Sequence, residues 1–132
     1  MKRYLFVILV FVICFITSCQ QQSGPEKYVL AYVTSGATSV PDTKYITHIN
    51  YAFGKVNERF DGIDIQNEER LHQIAALKKQ APQLKILLSL GGWGAGRFSE
   101  MAADEQKRRA FAANCRQIMD EFKIDGVDID WE

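Results

Sequence analysis

The run Lys85-Ile86-Leu87-Leu88-Ser89-Leu90 constrains this chain more than any other stretch. It is apolar at nearly every position rather than at alternate ones. That is the pattern of a strand covered on both faces, which belongs in a parallel sheet. Parallel strands need crossover connections, and the flanking sequence supplies them. Residues 67–81 carry Leu71, Ile74, Ala75 and Leu77 near helical spacing, with acids early and Lys78 and Lys79 late, as the helix dipole favours. Pro82 stops this helix. Beyond the strand, residues 91–96 form a glycine-rich loop, and Asp104 can cap a long helix. The predicted buried stripe of that helix is Phe111, Cys115, Ile118, Met119 and Phe122, and Lys107, Arg108 and Arg109 form a solvated face. Residues 28–33 and 46–53 read as two earlier strands, the second closed by Gly54. The loop between them, with Ser35, Gly36 and Pro41, leaves room for at most a short helix over 42–45. Residues 126–131 form a fourth strand. This order implies parallel strands joined by right-handed crossovers, and two α/β architectures fit: an open doubly wound sheet, or half of an eight-stranded barrel.

The N-terminus reads as something other than fold. Lys2 and Arg3 precede an uncharged apolar run over 4–16, which is too short for a membrane span of about 20 residues and suits a signal-peptide core. Ile16-Thr17-Ser18-Cys19 resembles a bacterial lipobox, so residues 1–18 are expected to be a lipoprotein signal peptide and Cys19 a lipidated N-terminus. Residues 19–26 are then a polar tether, and 27–132 the part that folds. The expected location is exported, on the outer membrane or cell surface, held to the membrane through the lipid anchor. Cys14 leaves with the leader and Cys19 carries lipid, so Cys115 is left alone among apolar neighbours as a core filler. Taking Lys2 and Arg3 from the 16 basic residues leaves 14 against 16 acids, a net of −2. Such a balance gives no electrostatic case for nucleic acid as a partner.

The chemistry is concentrated in Asp125-Gly126-Val127-Asp128-Ile129-Asp130-Trp131-Glu132. Side chains two apart in a strand share a face, so Asp128, Asp130 and Glu132 point one way and Val127, Ile129 and Trp131 the other. The apolar set can pack under outer helices, which turns the acids to the interior and the C-terminal mouth, where parallel α/β folds place their sites. Carboxylates confined together do not all ionise freely, and a carboxyl kept protonated is what a general acid for glycoside cleavage requires. Two other readings of the acid row are a solvent-facing edge strand and a set of oxygen ligands for a hard cation. The first conflicts with the apolar opposite face. The second lacks the further ligands and the glycine placement of a calcium loop. The glycine loop over 91–96 sits where a phosphate loop would, but Arg97-Phe98 stands in place of Lys-Ser/Thr. His48 and His72 lack ligand spacing and read as a packed strand residue and a helix-surface residue.

Asp125 to Glu132 resembles the D-x-x-D-x-D-x-E signature of glycoside hydrolase family 18 at every fixed position. Ser89-Leu90-Gly91-Gly92 resembles the family's S-x-G-G signature at the end of its third strand, and His48-Ile49-Asn50-Tyr51-Ala52-Phe53 its second strand. The resemblance implies the N-terminal half, strands 1–4, of a (β/α)8 TIM barrel, truncated at Glu132. It implies a chitinase that hydrolyses β-1,4-N-acetylglucosamine linkages by a substrate-assisted retaining mechanism, without metal or cofactor. Glu132, Asp130 and Asp128 take the catalytic positions: Glu132 as acid and base, Asp130 orienting the acetamido group, Asp128 sharing a proton with Asp130. Asp125, Ser89 and Tyr32 take supporting positions. Trp93, Gly91, Gly92 and Phe53 fall on the substrate side, and Trp93 also fits as a rim aromatic that packs the glycine loop. An endo-β-N-acetylglucosaminidase acting on N-glycans and a glycan-binding module without catalysis are the alternatives; the terminal glutamate, which non-catalytic relatives replace, is retained here. With four strands only, residues 20–132 alone are expected to be inactive and prone to aggregate.

Overall fold

The computed structural model describes residues 27–132, so the leader, Cys19 and the tether to residue 26 lie outside it. Five strands and three α-helices follow one another: β1 (Leu30–Thr34), β2 (His48–Val56), β3 (Ile63–Ile65), α1 (Glu68–Ala75), β4 (Lys85–Gly91), α2 (Phe98–Ala103), α3 (Glu105–Phe122) and β5 (Gly126–Asp130). The sheet order is β1-β2-β4-β5, with all three neighbouring pairs parallel. Strands consecutive in the parallel set are thus adjacent in space. That is how a closed barrel is laid down, whereas a doubly wound sheet reverses its strand order at a switch point within its first four strands.

The register fixes the faces. Tyr51 pairs with Leu88 and Leu88 with Val127, so these share the helix-facing side. Ile49, Tyr51, Ile86, Leu88 and Leu90 are wholly buried there against Leu71 and Ile74 of α1 and Phe111, Cys115, Ile118 and Phe122 of α3. The stripe expected on α3 therefore faces the core, with Met119 partly buried at its margin. Asp104 caps α3, its side chain accepting from the Lys107 N–H. Tyr51 carries a hydroxyl into this apolar layer, where it meets the carbonyls of Gln66 and Asn67 ahead of α1. Burial pushes the Tyr51 hydroxyl's pKa up, against a smaller opposing pull from Arg70.

Several elements differ from expectation. The first strand begins at Leu30, two residues late, and no helix forms over 42–45. Asp42 instead closes a turn, its side chain accepting from Lys44 N–H and its carbonyl from Tyr45 N–H. The second strand runs through Gly54 to Val56 because its outer end pairs antiparallel with β3, a strand the sequence did not reveal. Asn114 of α3 holds that hairpin by accepting the Ile63 N–H. The helix expected over 67–81 is α-helical only to Ala75 and tightens into a 3-10 turn over Ala76–Lys79. Asn67, in a left-handed conformation, caps it by accepting from Arg70 N–H. The segment before Asp104 folds into the short helix α2, which plants Phe98 and Met101 in the core. The last strand ends at Asp130 rather than Trp131. Of its apolar face only Val127 joins the core. Ile129 is half exposed, and Trp131 leaves the strand to stack on Phe98, ring centroids 5.5 Å apart.

Candidate active site

The face opposite the helices carries Tyr32 on β1, Asn50 on β2, Ser89 on β4 and Asp128 on β5. The register places Ser89 directly beside Asp128, and Tyr32 directly beside Asn50. All three neighbours converge on one atom. Asp128 Oδ2 accepts from Ser89 Oγ at 2.8 Å, from Tyr32 Oη at 2.9 Å and from Asn50 Nδ2 at 3.1 Å. Ser89 and Asn50 are buried, while Tyr32 is more than half exposed and lays its ring across the open face. Three donors on one oxygen fix the plane of the Asp128 carboxyl group. Its other oxygen, Oδ1, takes none of these bonds.

Asp130 follows on the same face at the end of β5, about 6–7 Å further along the strand. Glu132 lies beyond the strand's last residue and is exposed. Asp128 and Asp130 thus sit in the row that alternation predicts. Glu132 follows past the last ladder position. Among the described residues no group of three or more His, Cys, Asp and Glu side chains is arranged to hold a metal ion.

The glycines after β4 shape the mouth through backbone contacts. Gly91 has φ +129, and a Cβ there would stand 2.0 Å from the Asp130 carbonyl oxygen. Gly92, at φ +89, donates its N–H to that same oxygen at 3.2 Å and lies against the Phe53 ring. Only glycine permits these conformations together with this approach. Phe53 follows a cis peptide at Ala52, where the β2–β4 register shifts. Trp93 projects from the loop almost fully exposed, and so does not pack the glycine loop beneath it.

Asp125 lies at the opposite end of β5. It accepts from Lys78 Nζ at 2.6 Å, Ile86 N–H at 3.0 Å and Lys85 Nζ at 3.2 Å, pinning the start of β5 to β4 and to the turn after α1. Burial raises the Asp125 pKa, but the Lys78 ammonium, the Ile86 N–H and Lys85 outweigh it and hold the carboxyl below the ordinary range. Its support is to the scaffold. His48 is half-buried, edge-on to the Tyr28 ring and bonded to Thr47 Oγ1, whereas His72 lies on the helix surface stacked on Phe122. Asn50 was not singled out from sequence. The available signal was its place between Ile49 and Tyr51, which turns a polar side chain to the face of the acids.

The model of the glycosyl hydrolases family 18 matches residues 12–132. The chain belongs to glycoside hydrolase family 18. Chitinase B of Serratia marcescens is 31% identical over 103 residues, 67% of this chain and 21% of that protein. A class V chitinase of Medicago truncatula is 35% identical over 99 residues, 71% of this chain and 26% of the relative. The crystal structure of the chitinase domain of the spore coat protein CotE from Clostridium difficile superposes with a TM-score of 0.76 at 33% identity, over 88% of this chain and 32% of that one. This chain therefore spans about a fifth to a quarter of these two curated relatives and supplies four parallel strands of the family 18 barrel.

Proposed function

We propose that the protein carrying this chain is a chitinase that hydrolyses β-1,4-linked N-acetylglucosamine polymers with retention of configuration. The observation that carries the reading is the Asp128 carboxylate, clamped by donors from three strands one position before Asp130 on the same face of β5. In this reading Glu132 protonates the glycosidic oxygen as the sugar's own acetamido carbonyl attacks the anomeric carbon, and then deprotonates the incoming water. Asp130 orients the acetamido group and faces the positive charge that develops on it. Asp128 backs Asp130, with Tyr32 and Ser89 fixing its plane. Trp93, exposed on the mouth loop, offers a flat apolar face to a sugar ring, and Phe53 and the two glycines shape the rim beside it. A relative from Ostrinia furnacalis, a Group IV chitinase solved with allosamidin, matches over 81% of this chain at 30% identity, which supports a substrate of this class. The protein is proposed to be exported and held by lipid on Cys19.

The test is Glu132→Gln in the complete protein, whatever length of chain follows Glu132 in it. Turnover of chitooligosaccharides should fall at least about a thousandfold while binding is kept, since the amide fills the same space but delivers no proton. Undiminished turnover would remove Glu132 from the acid's role. A wild type that binds without cleaving would point to a glycan-binding module.

A further inference from the structure

Asn50 is only 2% exposed, and its two amide atoms are treated unequally. Nδ2 donates to Asp128 Oδ2, whereas Oδ1 is buried with no donor in reach among the described residues. A buried unpaired acceptor destabilises a fold. A leucine, branched at the same carbon but without polar atoms, would relieve it, so packing alone does not account for an asparagine here. The amide does have one use that leucine lacks. With Asp128 ionised, only Nδ2 can face Oδ2, because the alternative orientation sets oxygen against oxygen.

We infer that Asn50 is a positioning residue for the acid row: with Tyr32 and Ser89 it saturates Asp128 Oδ2 and so leaves Oδ1 as the oxygen on which a proton can sit. Three donors crowd Oδ2, so a proton there would have to displace one of them. Oδ1 meets none, and Asp130 stands next along the same face. A proton shared with Asp130 is thereby directed to one oxygen of Asp128 rather than to either of the two. Asn50 does this from beneath the sheet surface, without reaching the sugar. The inference rests on the chitinase reading above.

The experiment compares wild type, Asn50→Leu and Asn50→Asp in the complete protein, with chitooligosaccharide kinetics across pH and a thermal unfolding midpoint for each. For Asn50→Leu, kcat should fall about tenfold to a hundredfold, the rate equivalent of one hydrogen bond to a charged group, with KM within about twofold. The unfolding midpoint should hold or rise, because the unpaired acceptor is gone. For Asn50→Asp the shape is kept but the donor is lost whenever the new carboxyl is ionised. Its activity relative to wild type should therefore recover as pH falls and that carboxyl again donates a proton. Unchanged kcat in Asn50→Leu overturns the inference. If kcat and midpoint fall together, the Asn50→Asp profile decides: a profile parallel to wild type overturns the role, and recovery at low pH upholds it. An inert wild type overturns the chitinase reading and this role with it, whereas an active wild type beside an equally active Asn50→Leu overturns this role alone.

Discussion

Replacing Asp125 by alanine removes three acceptor contacts at the N-terminal end of β4 and β5, and the cost can be worked contact by contact. The Ile86 N–H, 3.0 Å from Asp125 Oδ2, loses its partner beside a wholly buried side chain; an unsatisfied buried donor costs about 1–3 kcal/mol. The Lys78 pair at 2.6 Å is only about a quarter exposed and adds about 1 kcal/mol. Lys85 is half exposed, so its pair at 3.2 Å contributes at most about 0.5 kcal/mol. Together the loss is about 2–4 kcal/mol, a large part of the roughly 5–15 kcal/mol that holds a domain folded. Urea unfolding at pH 7 should show this as a lower midpoint at unchanged slope. The pH dependence follows from the direction of the shift. The Asp125 pKa is depressed in the folded state, so the stabilisation is complete above the unfolded value of about 3.9 and is lost as pH falls through the lower folded value. The gap between wild type and Asp125→Ala should therefore be widest near neutrality and close below about pH 4. Asp125 stands five residues, about 17 Å, from Asp130, so kcat below the unfolding temperature should not change. A gap that stays constant from pH 7 to pH 3, or a variant within about 0.5 kcal/mol of wild type at pH 7, would refute the assignment of Asp125 as a strand clamp.

Gly91→Ala should be among the most damaging single-methyl changes in the chain, because its Cβ would fall 2.0 Å from the Asp130 backbone oxygen and neither side is a flexible side-chain end. A loss of more than about 3 kcal/mol with turnover lost in the same variant is expected, and urea unfolding beside a chitooligosaccharide assay would read both. Cys19→Ala should release the protein from the membrane fraction and abolish incorporation of a fatty-acid label; retained labelling would sink the lipoprotein reading.

The first three parallel strands were legible as short runs of apolar and β-forming residues, the fourth by its two-residue alternation, and α3 because its stripe repeats at helical spacing between Asp104 and Phe122. The pieces that escaped are short or held from outside. Strand β3 is Ile-Asp-Ile, three residues whose only claim to be a strand is the outer end of β2 beside them. Helix α2 has six residues, and its N-cap Arg97 is in a left-handed conformation and makes no side-chain cap, so no start signal precedes it. At the site, the two-residue alternation placed Asp128 and Asp130 correctly, but family resemblance, not periodicity, brought Tyr32 and Ser89 to them. Asn50 stayed silent because one amide in an apolar strand acquires meaning only from the strand two places away. The work of Gly91 likewise depends on how near a neighbouring carbonyl comes, a distance no local pattern encodes.

The convergence on Asp128 has a direction in time as well as in space. Tyr32, Asn50 and Ser89 precede Asp128 in the chain by 96, 78 and 39 residues. On a ribosome, which extends the chain at about 5–20 residues per second from its N-terminus, the three donors emerge seconds before the acid they hold. The order β1-β2-β4-β5 lets each strand dock on the one made before it, with no long wait for a distant partner. Strand β5 then brings a charged group to a slot whose walls are already standing. Its carboxylate is solvated by the protein from the moment it leaves water.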